Sequence, residues 1–134
     1  MDSQGRKTPR VLIVDDEAKN LQILGRLLKD SGFDVALAMG AEAALESVRI
    51  RTPDLFLLDV MMPGVDGFTL ARQLRSLSGV GEVPILFISA LSDEESKVQA
   101  FEAGGVDYIT KPFLSREVVA RVSSHLELKA YRLP

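Results

Sequence analysis

Pro53-Asp54-Leu55-Phe56-Leu57-Leu58-Asp59-Val60-Met61-Met62-Pro63-Gly64 is the stretch that decides the fold. Its centre, Leu55 to Leu58, is an unbroken apolar run of strand length, opened by Pro53-Asp54 and stopped by Asp59. A strand with one wet face would alternate apolar and polar residues; a run without alternation belongs to a strand covered on both faces, as in a parallel sheet between helices. Two further runs have the same form. Val11-Leu12-Ile13-Val14 stops at Asp15, and Pro84-Ile85-Leu86-Phe87-Ile88 stops at Ser89. Val35 to Ala38 and Val106 to Ile109 are weaker strand candidates. Between these runs the apolar residues repeat with helical period: Ala18, Leu21, Leu24 and Leu28, ended by Ser31-Gly32; then Ala41, Ala44, Leu45 and Val48; then Phe68, Ala71 and Leu74 with Asp66 as N-cap. Ser92-Asp93-Glu94-Glu95 has the spacing of a capping box, and Gly104-Gly105 supplies a stop. The helix between them is the least amphipathic, with Val98 and Phe101 as its apolar face, and a last helix runs from about Ser115 through Val118, Val122 and Leu126. The order is (βα)5. Right-handed crossovers then predict a doubly wound, five-stranded parallel sheet with helices on both faces.

Composition narrows the chemistry. The 134 residues suit one domain, with 46% hydrophobic and 26% charged residues and a net charge of −3. The absence of Cys excludes a disulfide scaffold, a thiolate zinc site and a cysteine nucleophile. A single His, His125, leaves no His-His metal pair, and no intact Ser-His-Asp triad can be assembled around it from the sequence. No apolar run approaches the ~18 residues of a membrane span, and Met1 to Arg10 lacks the apolar core of a signal peptide, so a cytoplasmic protein with no membrane partner is expected. The acidic balance argues against direct nucleic acid binding by this chain.

Open parallel sheets carry their sites beyond the carboxyl ends of the strands. The residues standing there are Asp15-Asp16, Asp59, Ser89-Ala90 and Lys111-Pro112. Converging carboxylates raise one another's pKa unless a cation sits among them, and Mg²⁺, with its preference for carboxylate, carbonyl and phosphate oxygen, meets that need. Lys111 adds a fixed positive charge that could pair with Asp59 at rest, and Ser89 offers a small hydroxyl. These are the parts of a phosphoryl-transfer site, with Asp59 as the attacking carboxylate. Taken singly, each has a blander reading: Asp15-Asp16 as a turn, Asp59 as a strand terminator, Lys111-Pro112 as a solvated loop. Their coincidence at four strand ends outweighs those readings.

With Val11-Leu12-Ile13-Val14-Asp15-Asp16-Glu17, the Asp59 stretch quoted above and Asp107-Tyr108-Ile109-Thr110-Lys111-Pro112-Phe113, the chain resembles a receiver domain of two-component signalling (the CheY-like superfamily) over about Arg10 to Leu128. The resemblance implies a flavodoxin-like strand order 2-1-3-4-5. It also implies Asp59 as phosphoacceptor, Asp15, Asp16 and Asp59 as Mg²⁺ ligands with the backbone carbonyl of Met61, and Lys111 on the phosphoryl group. Ser89 and Tyr108 would be a switch pair that repacks the surface of the fourth helix, fifth strand and fifth helix, and Lys111-Pro112 a cis peptide. The implied partner is a sensor histidine kinase or phosphotransfer domain, with a homodimer through that surface and a covalently linked output or kinase domain as further expectations. No enzyme activity beyond self-phosphotransfer and autodephosphorylation is implied. Met61 and Leu91 are apolar where some members carry polar residues beside the hydrolytic water, which implies a phosphoryl group that is not unusually short-lived.

The remaining residues take structural readings. Asp54 caps the entry to the third strand, Gly64-Val65-Asp66-Gly67 shapes a loop and helix start, Phe87 and Phe101 are core, Tyr108 is a half-buried aromatic, and His125 is a surface residue. Residues 1–9 read as a disordered tail and 129–134 as a helix end or the start of a linker, since helical character persists through Tyr131. Rival functions fit less well. A phosphatase of the haloacid-dehalogenase type needs an acid two residues after the nucleophile, where Met61 stands. A nucleotide-binding module needs G-x-x-x-x-G-K-[ST] or G-x-G-x-x-G after the first strand, and neither occurs. A degenerate receiver would not keep all of Asp15, Asp16, Asp59, Ser89 and Lys111.

Overall fold

The structure, a computed structural model, describes residues 8–130. Five strands alternate with five helices: β1 Arg10–Val14, α1 Ala18–Asp30, β2 Asp34–Ala38, α2 Ala41–Ile50, β3 Leu55–Asp59, α3 Gly67–Arg75, β4 Ile85–Ser89, α4 Glu94–Glu102, β5 Asp107–Thr110 and α5 Ser115–Ala130. All neighbouring strands pair in parallel, in the order β2-β1-β3-β4-β5. The (βα)5 reading and its strand order are therefore met.

The unbroken apolar strands divide their side chains between two cores, as a period of two requires. Leu12, Val14, Phe56, Leu58 and Phe87 face one way, against Ala44 and Val48 of α2, Phe68, Ala71 and Leu74 of α3, and Ala100 of α4. Val11, Ile13, Leu55, Leu57, Leu86, Ile88 and Ile109 face the other, against Leu21, Leu24 and Leu28 of α1 and Val118 and Val122 of α5. Each buried Leu, Ile or Phe contributes roughly 1.5–3 kcal/mol. From β1 the chain winds out to β2 on one side and to β3 on the other, so a crevice opens where β1 and β3 end.

Most local signals hold. Asp54 accepts from the backbone N–H of Arg10 (2.8 Å), pinning the starts of β1 and β3 together. Asp66 caps α3 through the Thr69 N–H (2.8 Å). Gly104 ends α4 at φ +100°. Three expectations are corrected. The cap of α4 is Asp93, whose carboxylate takes the Ser96 N–H and hydroxyl, so the box starting at Ser92 is displaced by one residue. Val98 and Phe101 do not form the buried face of α4: they are 49% and 78% exposed, and the helix rests on Ser96 and Ala100. Phe101 is thus not core, unlike Phe87. His125 is half-buried, with Nε2 3.0 Å from Oδ2 of Asp107, because α5 lays it beside the start of β5. Of the tail expected over 1–9, residues 1–7 lie outside the described residues, while the Pro9 carbonyl accepts from the Asp34 N–H (2.9 Å). Of the expected terminal segment, 131–134 lie outside, and α5 continues through Ala130.

Candidate functional site

Asp15 extends β1 by one ladder bond, its N–H donating to the Ala38 carbonyl (3.2 Å). Its side chain is fully buried. Oδ1 accepts from the Glu17 N–H (3.0 Å), the local turn that starts α1, which leaves Oδ2 aimed into the crevice with no hydrogen-bond partner. Asp16 follows, half-buried. Asp59 is the last residue of β3 and only 5% exposed. One carboxylate oxygen from each of Asp15, Asp16 and Asp59 lies within 4.8 Å of the others.

Lys111 crosses from the end of β5. Its N–H donates to the Ser89 carbonyl (2.8 Å), joining the ends of β4 and β5, and its peptide bond to Pro112 is cis. Its Nζ stands 3.5 Å from Asp59 Oδ1 and 3.8 Å from the orphaned Asp15 Oδ2. One ammonium against three carboxylates leaves the crevice electron-rich. Burial, and next the charge of Asp15, raise the Asp59 carboxyl from the ordinary 3.8 to about 6; the charge of Lys111 and its hydrogen bond oppose this, and Asp16 adds to it.

These features fit a hard divalent cation. Three carboxylate oxygens are in reach of one point, and one of them is buried without a donor, a state costly to keep unless a cation completes it. Met61 presents an exposed side chain without oxygen, so only its backbone carbonyl could join the set.

Ser89 and Tyr108 meet across the neighbouring loop. Ser89 is buried, and its Oγ accepts from the Leu91 N–H (3.1 Å). The ring of Tyr108 packs against the core on the α2–α3–α4 face, and its hydroxyl donates to the Leu91 carbonyl (2.6 Å). Burial pushes the Tyr108 hydroxyl pKa up, while a hydrogen bond with Ser89 pulls it down.

Of the residues singled out at the strand ends, Asp15, Asp16, Asp59 and Lys111 are thus brought around one crevice, and Ser89 is joined to Lys111 through its backbone carbonyl. Sequence reasoning undervalued Gly67. A Cβ there would overlap the Asp59 carbonyl oxygen and stand 2.9 Å from Val60 Cα, and the Gly67 N–H donates to the Val60 carbonyl (2.9 Å). A helix opening on Gly directly after its Asp cap was the available signal, since Gly is a poor helix former. Asp107 was also passed over. Its carboxylate accepts from the Tyr108 N–H (2.8 Å) and from Arg121 Nη1 (2.7 Å), besides its contact with His125.

A doubly wound parallel sheet with acids and a lysine at its switch point defines a class of signalling domains, and comparison with known proteins agrees. Residues 11–123 match the family model described as "Response regulator receiver domain", so the chain belongs to that family and is a receiver domain of two-component signalling. It is 44% identical over 117 residues to the DNA-binding response regulator MtrA of Mycolicibacterium paratuberculosis, covering 87% of this chain and 51% of the relative. The chain spans about half the length of the curated relatives it matches. Among solved structures, the receiver domain of the Francisella response regulator 1452 is 31% identical with TM-score 0.84, covering 91% of this chain and 99% of that one. The signal receiver domain of a signal transduction histidine kinase from Syntrophus aciditrophicus is 28% identical with TM-score 0.82, covering 95% and 96%. Among the described residues, no helix is long and apolar enough to cross a membrane.

Proposed function

We propose that Asp59 accepts a phosphoryl group from a phosphohistidine on a sensor histidine kinase or phosphotransfer domain. An Asp59 carboxylate oxygen attacks phosphorus in line, the P–N bond to imidazole breaks, and the freed ring nitrogen takes a proton from solvent. The observation that carries this reading is the meeting of Asp59 with the orphaned Asp15 oxygen, Asp16 and the Lys111 ammonium in one crevice. Asp15, Asp16, Asp59 and the Met61 carbonyl would hold Mg²⁺, which supplies charge neutralisation on the phosphoryl oxygens. Lys111 leaves its place beside Asp59 to pair with a phosphoryl oxygen, and the Ser89 hydroxyl donates to another. When Ser89 moves, the bonds of Ser89 and Tyr108 to Leu91 carry the change to the α4–β5–α5 face. That face serves a homodimer or an output partner. MtrA is named as DNA-binding, and this chain covers about half of it. A regulator's receiver is favoured over the receiver of a hybrid kinase by the identity to MtrA.

Incubation with Mg²⁺ and a small acyl phosphate is expected to add one phosphate by intact mass, with none added to Asp59→Asn or in EDTA. An unmodified wild type, or an undiminished adduct in Asp59→Asn, overturns the reading. Sustained turnover of many unrelated phosphate esters would favour a phosphatase.

The lifetime of that adduct should depend on Met61 and Leu91. Their apolar side chains offer no hydrogen bond to an attacking water. Met61→Asn combined with Leu91→Glu is expected to speed dephosphorylation by roughly a hundredfold, the low end of what a positioned acid–base group contributes. An unchanged decay rate would refute it.

A further inference from the structure

α4 is held differently at its two ends. Its sheet-facing residues are small, Ser96 and Ala100, followed by Ala103, so little apolar area binds it to the sheet. At the C-terminal end the fastening is to backbone. The N–H groups of Ala103 and Gly105 return to the carbonyls of Gln99 and Ala100 (2.9 Å each). The turn lies on Phe87, where a Cβ at Gly105 would come within 2.6 Å of the ring. Arg75, the last residue of α3, reaches across half-buried. Its Nη1 donates to the carbonyls of Gly81 (2.5 Å) and Val83 (3.0 Å), and its Nη2 donates to the carbonyl of Gly104. One guanidinium thus joins the approach to β4 to the turn after α4, a planar fork that no single ammonium reproduces.

At the N-terminal end, the side-chain hydrogen bonds of the Asp93 cap go to Ser96 within the same helix. The loop before it is held through Leu91, whose N–H and carbonyl bond Ser89 Oγ and the Tyr108 hydroxyl. The partners at this end are therefore the two side chains beside the proposed phosphoryl site.

We propose that Arg75 is a positioning residue that makes the C-terminal end of α4 a fixed pivot, so that events at Asp59 displace its N-terminal end. The part that concerns Asp59 rests on the function proposed above; the clamp itself does not. The pivot converts a small change at Leu91 into a tilt of the exposed Val98–Phe101 face, with the displacement growing toward Asp93.

Amide hydrogen exchange, read residue by residue against α1 amides as reference, tests this. In the wild type, Mg²⁺ with beryllofluoride is expected to change exchange at Leu91, Ser96 and Lys97 by about tenfold, and at Ala103, Gly104 and Gly105 by less than about twofold. In metal-free Arg75→Gln, exchange at Ala103, Gly104 and Gly105 should rise about tenfold or more relative to α1, as loss of charge-assisted bonds implies, while phosphate uptake by Asp59, measured with Mg²⁺ present, stays within about twofold of wild type. Arg75→Lys should fall between. Equal perturbation of both ends in the wild type overturns the pivot, as does an Arg75→Gln turn no faster than α1. If beryllofluoride perturbs no amide and Asp59 takes no phosphate, the reading of the site has failed, and the metal-free Arg75→Gln comparison still decides the clamp. The wild-type comparison decides the pivot if the variant does not fold.

Discussion

Asp59→Asn is expected to make the metal-free protein more stable at pH 7.5, although it removes the residue on which the proposed chemistry depends. The sign follows from proton binding. The folded protein holds the Asp59 proton with a pKa of about 6, against an ordinary 3.8, because burial and Asp15 disfavour the anion. Between those two values the folded state binds more protons than the unfolded one, so stability falls as pH rises from about 4 to about 6 and stays reduced above. At about 1.4 kcal/mol for each tenfold change in proton affinity, the loss reaches about 2–3 kcal/mol. Asparagine carries no charge and avoids it. Denaturant unfolding in EDTA should therefore give wild type and Asp59→Asn within about 0.5 kcal/mol of each other at pH 4, and a variant about 2–3 kcal/mol more stable at pH 7.5. Mg²⁺ should narrow the gap, since a ligand that binds the folded wild type more tightly stabilises it more. A variant less stable than wild type at pH 7.5 without metal would show that the carboxylates are not in conflict.

That conflict was legible from the sequence because parallel strands advertise themselves. Leu55 to Leu58 and Val11 to Val14 have no polar interruption, so the first polar residue after each is both the end of the strand and an occupant of the crevice. Chain order then brings Asp15, Asp59, Ser89 and Lys111 together without any knowledge of distances. α4 failed for the complementary reason. It packs through Ser96, Ala100 and Ala103, residues too small or too polar to register as an apolar stripe, while Val98 and Phe101, which do register, face outward. Burial there is set by how closely the backbone approaches the sheet, and side-chain hydropathy does not encode that. His125 and Arg75 were hidden in another way. Each meets a partner 18 or 29 residues distant, respectively Asp107 and the Gly104 carbonyl, through the register of a helix on its neighbours, and no periodicity within one segment reports such a contact.

The remaining large effect concerns Gly67, where two forces oppose. Alanine at a helical position ordinarily gains about 1 kcal/mol over glycine. At residue 67 its methyl would overlap the Asp59 carbonyl oxygen, and Val60 Cα lies 2.9 Å from the same point. Those neighbours are backbone atoms of the strand end that carries Asp59, so relief must come from moving the strand end or the start of α3. Overpacking of a filled interior costs about 1–3 kcal/mol when side chains can yield, and here they cannot. The clash should prevail. Gly67→Ala is expected to lose about 2–3 kcal/mol, near 10 °C in melting temperature for a domain of this size, and to weaken Mg²⁺ binding by tenfold or more as Asp59 shifts relative to Asp15 and Asp16. Gly64→Ala separates this from general loop strain. Gly64 has φ +76° with open space around its would-be Cβ, so alanine there costs about 1–2 kcal/mol of backbone energy while leaving Asp59 in place. Calorimetry of both variants with Mg²⁺ titration decides the matter. If Gly67→Ala binds Mg²⁺ as tightly as Gly64→Ala, then the contact between α3 and the end of β3 fastens the helix without setting the position of Asp59.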